Sequence, residues 1–270
     1  MCPPTFFAVQ EVKNPYMSGL PSIDTAKAQQ EWENLCRAFR EVGVEVNCID
    51  PVAGLEDMVF AANQVFVGSH ERLGNFIVAS RMRYESRRAE VAHYITWFRQ
   101  HDYAVLEVAL DGEFLEGHGD LLWHPDRSRI WAGYGFRSSR GGVAEFQSAM
   151  RSLHFEVMPL ELVDPHFYHL DTCFSVLNAE SVLIYPEAFT AGGVRAIEQG
   201  WRRVYKTTKE DAMRFSCNGV SVNGRYLVSH LTPSLEAALK QEGINPLIVD
   251  MSEFEKSGGS VFCLKNFLPS

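Results

Sequence analysis

A cysteine, a histidine and several carboxylates recur in this chain at intervals of about fifty to sixty residues, each in a similar place within a repeating strand–helix pattern. Asp57 and Asn63 bound Asp-Met-Val-Phe-Ala-Ala-Asn, Glu116 and Asp120 bound Glu-Gly-His-Gly-Asp, and His169 and Asp171 lie in His-Leu-Asp-Thr. Cys263 follows Gly258-Gly259. A cysteine with a partner histidine and nearby acids is the equipment of covalent catalysis: the sulfur attacks and the imidazole exchanges protons near neutral pH. Carboxylates at the same place can hold a cationic substrate. A closed ring of repeats would bring residues this far apart in sequence onto one central site.

Each residue also has an ordinary structural explanation. A cysteine in an apolar stretch such as Val-Phe-Cys-Leu is more often a small buried hydrophobe than a nucleophile; the two preceding glycines, which permit a backbone that opens room for a ligand, favour the second role for Cys263. His169 and Asp171 stand at i and i+2 before a strand and would face one pocket if extended. Glu116 and Asp120 could be an acidic turn, but the glycines between them suggest a close backbone approach. His118 has no second histidine at metal-binding spacing, so no metal is expected. Asn63 differs from an aspartate in carrying both donor and acceptor. Arg87 and Arg137 are candidate anchors for a carboxylate, which guanidinium groups grip bidentately.

These residues need a scaffold. Thr25 to Val42 has helical spacing, ended by Gly43 and followed by an alternating strand at 44–49. The arrangement returns four times, with helices expected at 84–101, 141–153, 191–201 and 234–242 and strands starting near Tyr103, Phe155, Arg203 and Asn245. Short apolar strands precede the helices at 6–9, 76–79, 130–132, 182–185 and 226–228. Further strands are expected between units at 64–67, 120–123, 174–177, 219–222 and 261–267. Five similar units result, read as one closed α/β domain over residues 1–270 in which 261–267 pairs near the N-terminal strand.

Bulk properties narrow the partners. Among 270 residues, 46% are hydrophobic and 22% charged, ordinary for a chain with a large buried core. The net charge of −9 argues against broad nucleic-acid or anionic-membrane binding. No apolar run reaches the ~18 residues of a membrane span, and no signal peptide is expected. Six cysteines without metal or disulfide spacing suit a reduced, cytoplasmic protein.

The ordered set Asp-Met-Val-Phe-x-Ala-Asn, Glu-Gly-x-Gly-Asp, Tyr-His-Leu-Asp-Thr-Cys-Phe and Gly-Gly-x-x-x-Cys resembles the pentein guanidine-modifying superfamily, nearest to the catalytic domain of the cyanobacterial-type arginine dihydrolases. The likeness extends to Trp-Ala-Gly-Tyr-Gly-Phe-Arg at 131–137 and Cys-Asn-x-Val-x-Val-Asn at 217–223. It implies a five-bladed α/β propeller with pseudo-fivefold symmetry and no cofactor. Cys263 would attack the guanidine carbon, His169 would protonate departing ammonia and then activate water, and Glu116 would orient His169. Asp171 would bind guanidinium nitrogens, with Asp57 and Asp120 also at the substrate, and Arg87 and Arg137 would hold its α-carboxylate. Deiminases and dimethylargininases place an aspartate where Asn63 stands. An asparagine amide can instead donate to the ureido oxygen of citrulline and allow a second attack. The expected activity is conversion of L-arginine to L-ornithine, two ammonia and CO2, with arginine deiminase or dimethylargininase-like hydrolysis to citrulline, or a non-catalytic binding module, as alternatives. Gln64-Val65 and His118 depart from the dihydrolase pattern. Self-association into a homo-oligomer stays open.

Overall fold

Helix α1 (Thr25–Glu41) starts where the Asp24 side chain accepts a hydrogen bond from the Lys27 amide at 3.0 Å, which satisfies one of the first-turn donors that a helix cannot pair internally. Its stripe of Ala28, Trp32, Leu35 and Phe39 is buried, and the helix packs by that face against apolar residues near the chain end, including Val261 and Leu264. The computed structural model describes residues 1–269.

Four three-stranded sheets follow, each built as a hairpin, a helix and a third strand parallel to the second. The first comprises β1 (Val65–His70), β2 (Gly74–Ala79), α2 (Arg88–Gln100) and β3 (Ala104–Val105). After the one-turn helix α3 (Gly117–Asp120), the second comprises β4 (Leu121–Trp123), β5 (Arg129–Tyr134), α4 (Arg140–Ser152) and β6 (Glu156–Glu161). The third holds β7 (Phe174–Val176), β8 (Ser181–Ile184), α5 (Ala191–Gly200) and β9 (Arg203–Lys206). Helix α6 (Lys209–Met213) leads to the fourth, with β10 (Val220–Val222), β11 (Arg225–Val228), α7 (Pro233–Gln241) and β12 (Asn245–Ile248). Helix α8 (Ser252–Glu255) precedes the last segment. Ser139, Thr190 and Thr208 cap α4, α5 and α6 in the same way, each accepting from an amide of the first turn. No helix among the described residues is long and apolar enough to cross a membrane.

Three expected strands do not form. Residues 6–9, 44–49 and 261–267 join no ladder, and 261–264 are turns. Part of their apolar side chains is nevertheless packed: Phe7, Val261 and Leu264 are buried in one cluster with α1, and the half-buried Val44 and Val46 lie against it. Alternation in sequence reports one-sided burial, and here side-chain packing supplies that burial without strand pairing. The expected ladder between 261–267 and the N-terminal strand is likewise absent. Isolated backbone bonds stand in its place, such as Ala62 N to Cys263 O at 3.1 Å and Phe262 N to Asn218 O at 2.9 Å.

Candidate active site

Most of the candidate residues come together because they sit just before the first strand of their unit, while Arg87 and Arg137 follow the second strand. Asn63 precedes β1, Glu116 and Asp120 precede β4, and His169 and Asp171 precede β7. Asn218 precedes β10, and Cys263 holds the corresponding place in the strandless last segment. Asp57, Asn63, Arg87, Arg137, His169 and Cys263 line one small cavity with only about 10 Å³ free, room for about one water. Glu116 and Asp171 stand behind that wall, bonded to the residues that form it.

The sulfur of Cys263 lies 3.2 Å from Asp171 Oδ2. Burial, and then the Asp171 charge, push the thiol well above its ordinary value, while burial lifts the Asp171 carboxyl to about 7. Both shifts favour the neutral thiol, which points its proton at Asp171 Oδ2. Lys265, two residues on, has its ammonium lowered to about 7 by burial, against the attraction of Asp171 and Cys263.

His169 donates from Nε2 to Glu116 Oε2 at 2.9 Å. The same carboxylate takes Arg137 through Nη2 at 2.8 Å and Nε at 3.1 Å. Burial opposes its charge, but Arg137 and the His169 hydrogen bond outweigh burial and hold Glu116 well below the usual carboxylate range. An ionised Glu116 can only accept, so the His169 proton on this side is assigned to Nε2.

Asn63 is oriented just as firmly. Arg87 Nη1 donates to Asn63 Oδ1 at 3.0 Å, and a guanidinium can only donate, so the amide oxygen must face it. Asn63 Nδ2 is left buried with no acceptor. Arg87 is held in turn by Glu90 at 3.0 Å, and Glu90 accepts from Gln64 Nε2 at 2.7 Å. Gln64, which departs from the dihydrolase pattern, thus anchors the chain of contacts that points the Asn63 donor. The glycines of Glu-Gly-His-Gly-Asp have a matching reason. A Cβ on Gly119 would collide with Asn63 Nδ2 and press on the His169 ring.

Several expected site residues have other partners. The Arg87 guanidinium bonds Glu90, Asn63 and the Asp57 carbonyl, and Arg137 is paired with Glu116 through Nε and Nη2, while both residues line the cavity. Asp120 does not line the cavity. Its Oδ2 accepts from Ser138 N and Oγ, and its Oδ1 from Leu170 N, so it braces the turn that presents His169. His118 turns away: Nδ1 donates to the Leu121 carbonyl at 2.8 Å, and Nε2 accepts from Val67 N at 3.0 Å.

Three residues went unsuspected. Asn218 contacts the Cys263 sulfur, and its position before β10 is the repeat position itself, a signal already present in the spacing. Tyr168, beside His169, lines the cavity and donates to the Gly258 carbonyl at 2.6 Å. Lys13 reaches the cavity from the N-terminal segment, and nothing in its sequence surroundings marks it.

Comparison with known proteins points the same way. The family described as "N,N dimethylarginine dimethylhydrolase, eukaryotic" matches residues 10–266. The N(G),N(G)-dimethylarginine dimethylaminohydrolase of Mycobacterium tuberculosis is 35% identical over 97% of this chain and 83% of its own length. The bifunctional arginine dihydrolase/ornithine cyclodeaminase ArgZ of Synechocystis is 35% identical over 98% of this chain, which spans 36% of that protein's length. The substrate-bound crystal structure of the ArgZ N-terminal domain, an arginine dihydrolase from cyanobacteria, superposes with a TM-score of 0.90 at 33% identity, covering 98% of this chain and 95% of that one.

Proposed function

The chain belongs to the N,N-dimethylarginine dimethylhydrolase family, and from that premise we propose that it is a cysteine-dependent arginine dihydrolase, taking L-arginine and two waters to L-ornithine, two ammonia and CO2. The observation that carries this reading is the Asn63 amide, which lines the cavity and whose buried Nδ2 has no acceptor while Arg87 holds its oxygen. A buried donor favours an acceptor, and the ureido oxygen of citrulline is one; the guanidinium of arginine offers donors alone. The site is therefore suited to retain the first product for a second hydrolysis. The resemblance to ArgZ over nearly the whole chain supports the same conclusion.

The chemistry follows from the contacts. A guanidinium beside Asp171 and Cys263 adds positive charge next to the sulfur and stabilises the thiolate as the thiol proton passes to His169. The sulfur attacks the guanidine carbon, His169 delivers a proton to the departing ammonia, and a covalent thiouronium remains. Water then gives a proton to His169 and adds to the same carbon, the C–S bond breaks, and citrulline results. A second attack on the ureido carbon releases the second ammonia and leaves a thiocarbamate; a second water breaks its C–S bond, and the carbamate so formed loses its C–N bond to give ornithine and CO2. Glu116, charged and bonded to His169, stabilises the imidazolium form along this path.

We read the whole chain as one catalytic domain, with the four sheets and the strandless unit around α1 as five propeller blades. Five site segments at equivalent places support that symmetry. A second reading, hydrolysis of dimethylarginine to citrulline and dimethylamine, is favoured by the family match and the mycobacterial relative. Products decide between the two. Incubation with arginine, citrulline and dimethylarginine, followed by chromatography of amino acids and amines, should give ornithine from the first two. Arginine that stops at citrulline would sink the dihydrolase reading.

A further inference from the structure

Lys13 places a cation where an amino-acid substrate would bring one. Its ammonium lies 3.0 Å from Asp57 Oδ2, 3.3 Å from Glu56 Oε1 and 3.7 Å from Glu11 Oε2, with the residue 3% exposed. The segment is pinned beside the cavity by Asn14, whose Nδ2 donates to the Ser257 carbonyl at 2.9 Å. Asp57 is the one carboxylate among the described residues that lines the cavity. Its Oδ2 is held by the Lys13 ammonium at 3.0 Å and by Arg87 at 3.7 Å.

With the guanidino group at Cys263 and Asn63, an α-amino acid has a second cation to place, and Asp57 is the carboxylate the cavity offers it. Resting on the reading of this site as a guanidino hydrolase, we propose that Lys13 is a specificity-determining residue: its ammonium occupies the position at Asp57 that a substrate α-ammonium would take, so ω-guanidino carboxylates lacking an α-amino group are accepted nearly as well as arginine.

The argument is one of exchange. An α-ammonium gains Asp57 only by moving Lys13 onto Glu56 and Glu11, and the pair it forms is offset by the pair the protein loses. Lys13 is tethered beside Asp57, so it competes at a high effective concentration. A substrate without the α-amino group leaves the Lys13–Asp57 pair intact. A site with an unoccupied buried carboxylate would behave oppositely, since a substrate lacking the matching cation would leave that charge unpaired.

The test compares arginine with 5-guanidinopentanoate, which is arginine without its α-amino group, by kcat/KM for ammonia release. The wild-type protein should prefer arginine by no more than about tenfold, whereas a site with a free Asp57 would discriminate far more strongly. Lys13→Gln should shift the ratio toward arginine by about tenfold or more, chiefly through KM, and Lys13→Arg should stay near wild type. A wild-type preference above that limit, or a Lys13→Gln ratio that does not move, overturns the proposal. Should Lys13→Gln fail to fold, the wild-type ratio decides alone. Ammonia leaves in the first hydrolysis whatever the final product, so the result does not depend on one step or two. If wild type releases ammonia from neither compound, the hydrolase reading falls. Calorimetric binding of the two compounds to Cys263→Ser protein then tests Lys13 separately.

Discussion

Asn218 directs its amide nitrogen at the sulfur of Cys263, 3.2 Å away, while its oxygen accepts the backbone amides of Ser260 at 3.0 Å and Cys263 at 3.4 Å. Two backbone donors require the oxygen on their side, so the N–H toward sulfur is not a free choice of rotamer. The same nitrogen donates to the Asp171 carbonyl at 3.0 Å. One buried amide thus fixes the loop that carries Cys263, ties it to the segment that carries Asp171, and offers the thiolate a hydrogen bond.

Asn218→Ala should therefore act on both structure and reactivity. Two backbone amides lose their acceptor, costing about 1–3 kcal/mol of stability. The thiolate loses a donor that favours it, so alkylation of Cys263 by iodoacetamide should need higher pH, and kcat should fall by about ten- to a hundredfold. Thermal unfolding and the pH profile of alkylation separate the two effects. Unchanged alkylation in a folded variant would reduce Asn218 to a structural brace.

Asn63→Asp should halt the proposed two-step hydrolysis after its first step. A carboxylate still accepts from Arg87, so the local fold is kept, but its second oxygen now stands where the amide donor was. Citrulline then meets an acceptor opposite its ureido oxygen. Citrulline hydrolysis should drop by about a hundredfold or more, while the first hydrolysis of arginine survives. Amino-acid analysis of an arginine digest should show citrulline accumulating; ornithine formed at the wild-type rate would remove Asn63 from the discrimination.

The Asp171 carboxyl, lifted by burial to about 7, should impose a rising limb on activity. Below that pH it is protonated and cannot hold a guanidinium, so kcat/KM should climb as pH rises through about 7. Asp171→Asn should abolish the limb along with most activity. Stability runs the other way. The folded-state value lies above the ordinary 3.8, so this group favours folding fully below about 4 and loses that contribution as pH rises through about 7. Asp171→Asn should consequently unfold at a higher temperature than wild type at pH 8, with the gap closing near pH 4.

All five expected helices are present within a few residues of their expected ends, because their apolar stripes and caps are local properties. Cys263, His169, Glu116, Asp171 and Asn63 were legible for a different reason. They share a place in the repeat, and repetition brings equivalent places together. What escaped notice was set by tertiary partners. The apolar alternation at 44–49 and 261–267 is used for packing without a ladder. That Glu90 turns inward onto Arg87, three residues before it, has no sign in the sequence. Lys13 is a lone lysine until the fold sets Glu56 and Asp57 beside it.

His118 stands inside the motif that carries Glu116, yet its substitution should be felt in stability and not in turnover. Its ring bridges two backbones, accepting from Val67 N in β1 and donating to the Leu121 carbonyl in β4. Burial, assisted by the Lys265 charge, lowers its value to about 3, so it stays neutral and keeps both roles at any working pH. His118→Ala strands the Val67 amide in the core beside Phe66 and should cost about 1–3 kcal/mol. Gly117 and Gly119, not the imidazole, set the approach of this turn to Asn63 and His169. kcat/KM per folded molecule should accordingly stay within about threefold of wild type, while unfolding shifts to lower denaturant. A large loss of kcat in a well-folded His118→Ala protein would place the imidazole in the reaction after all.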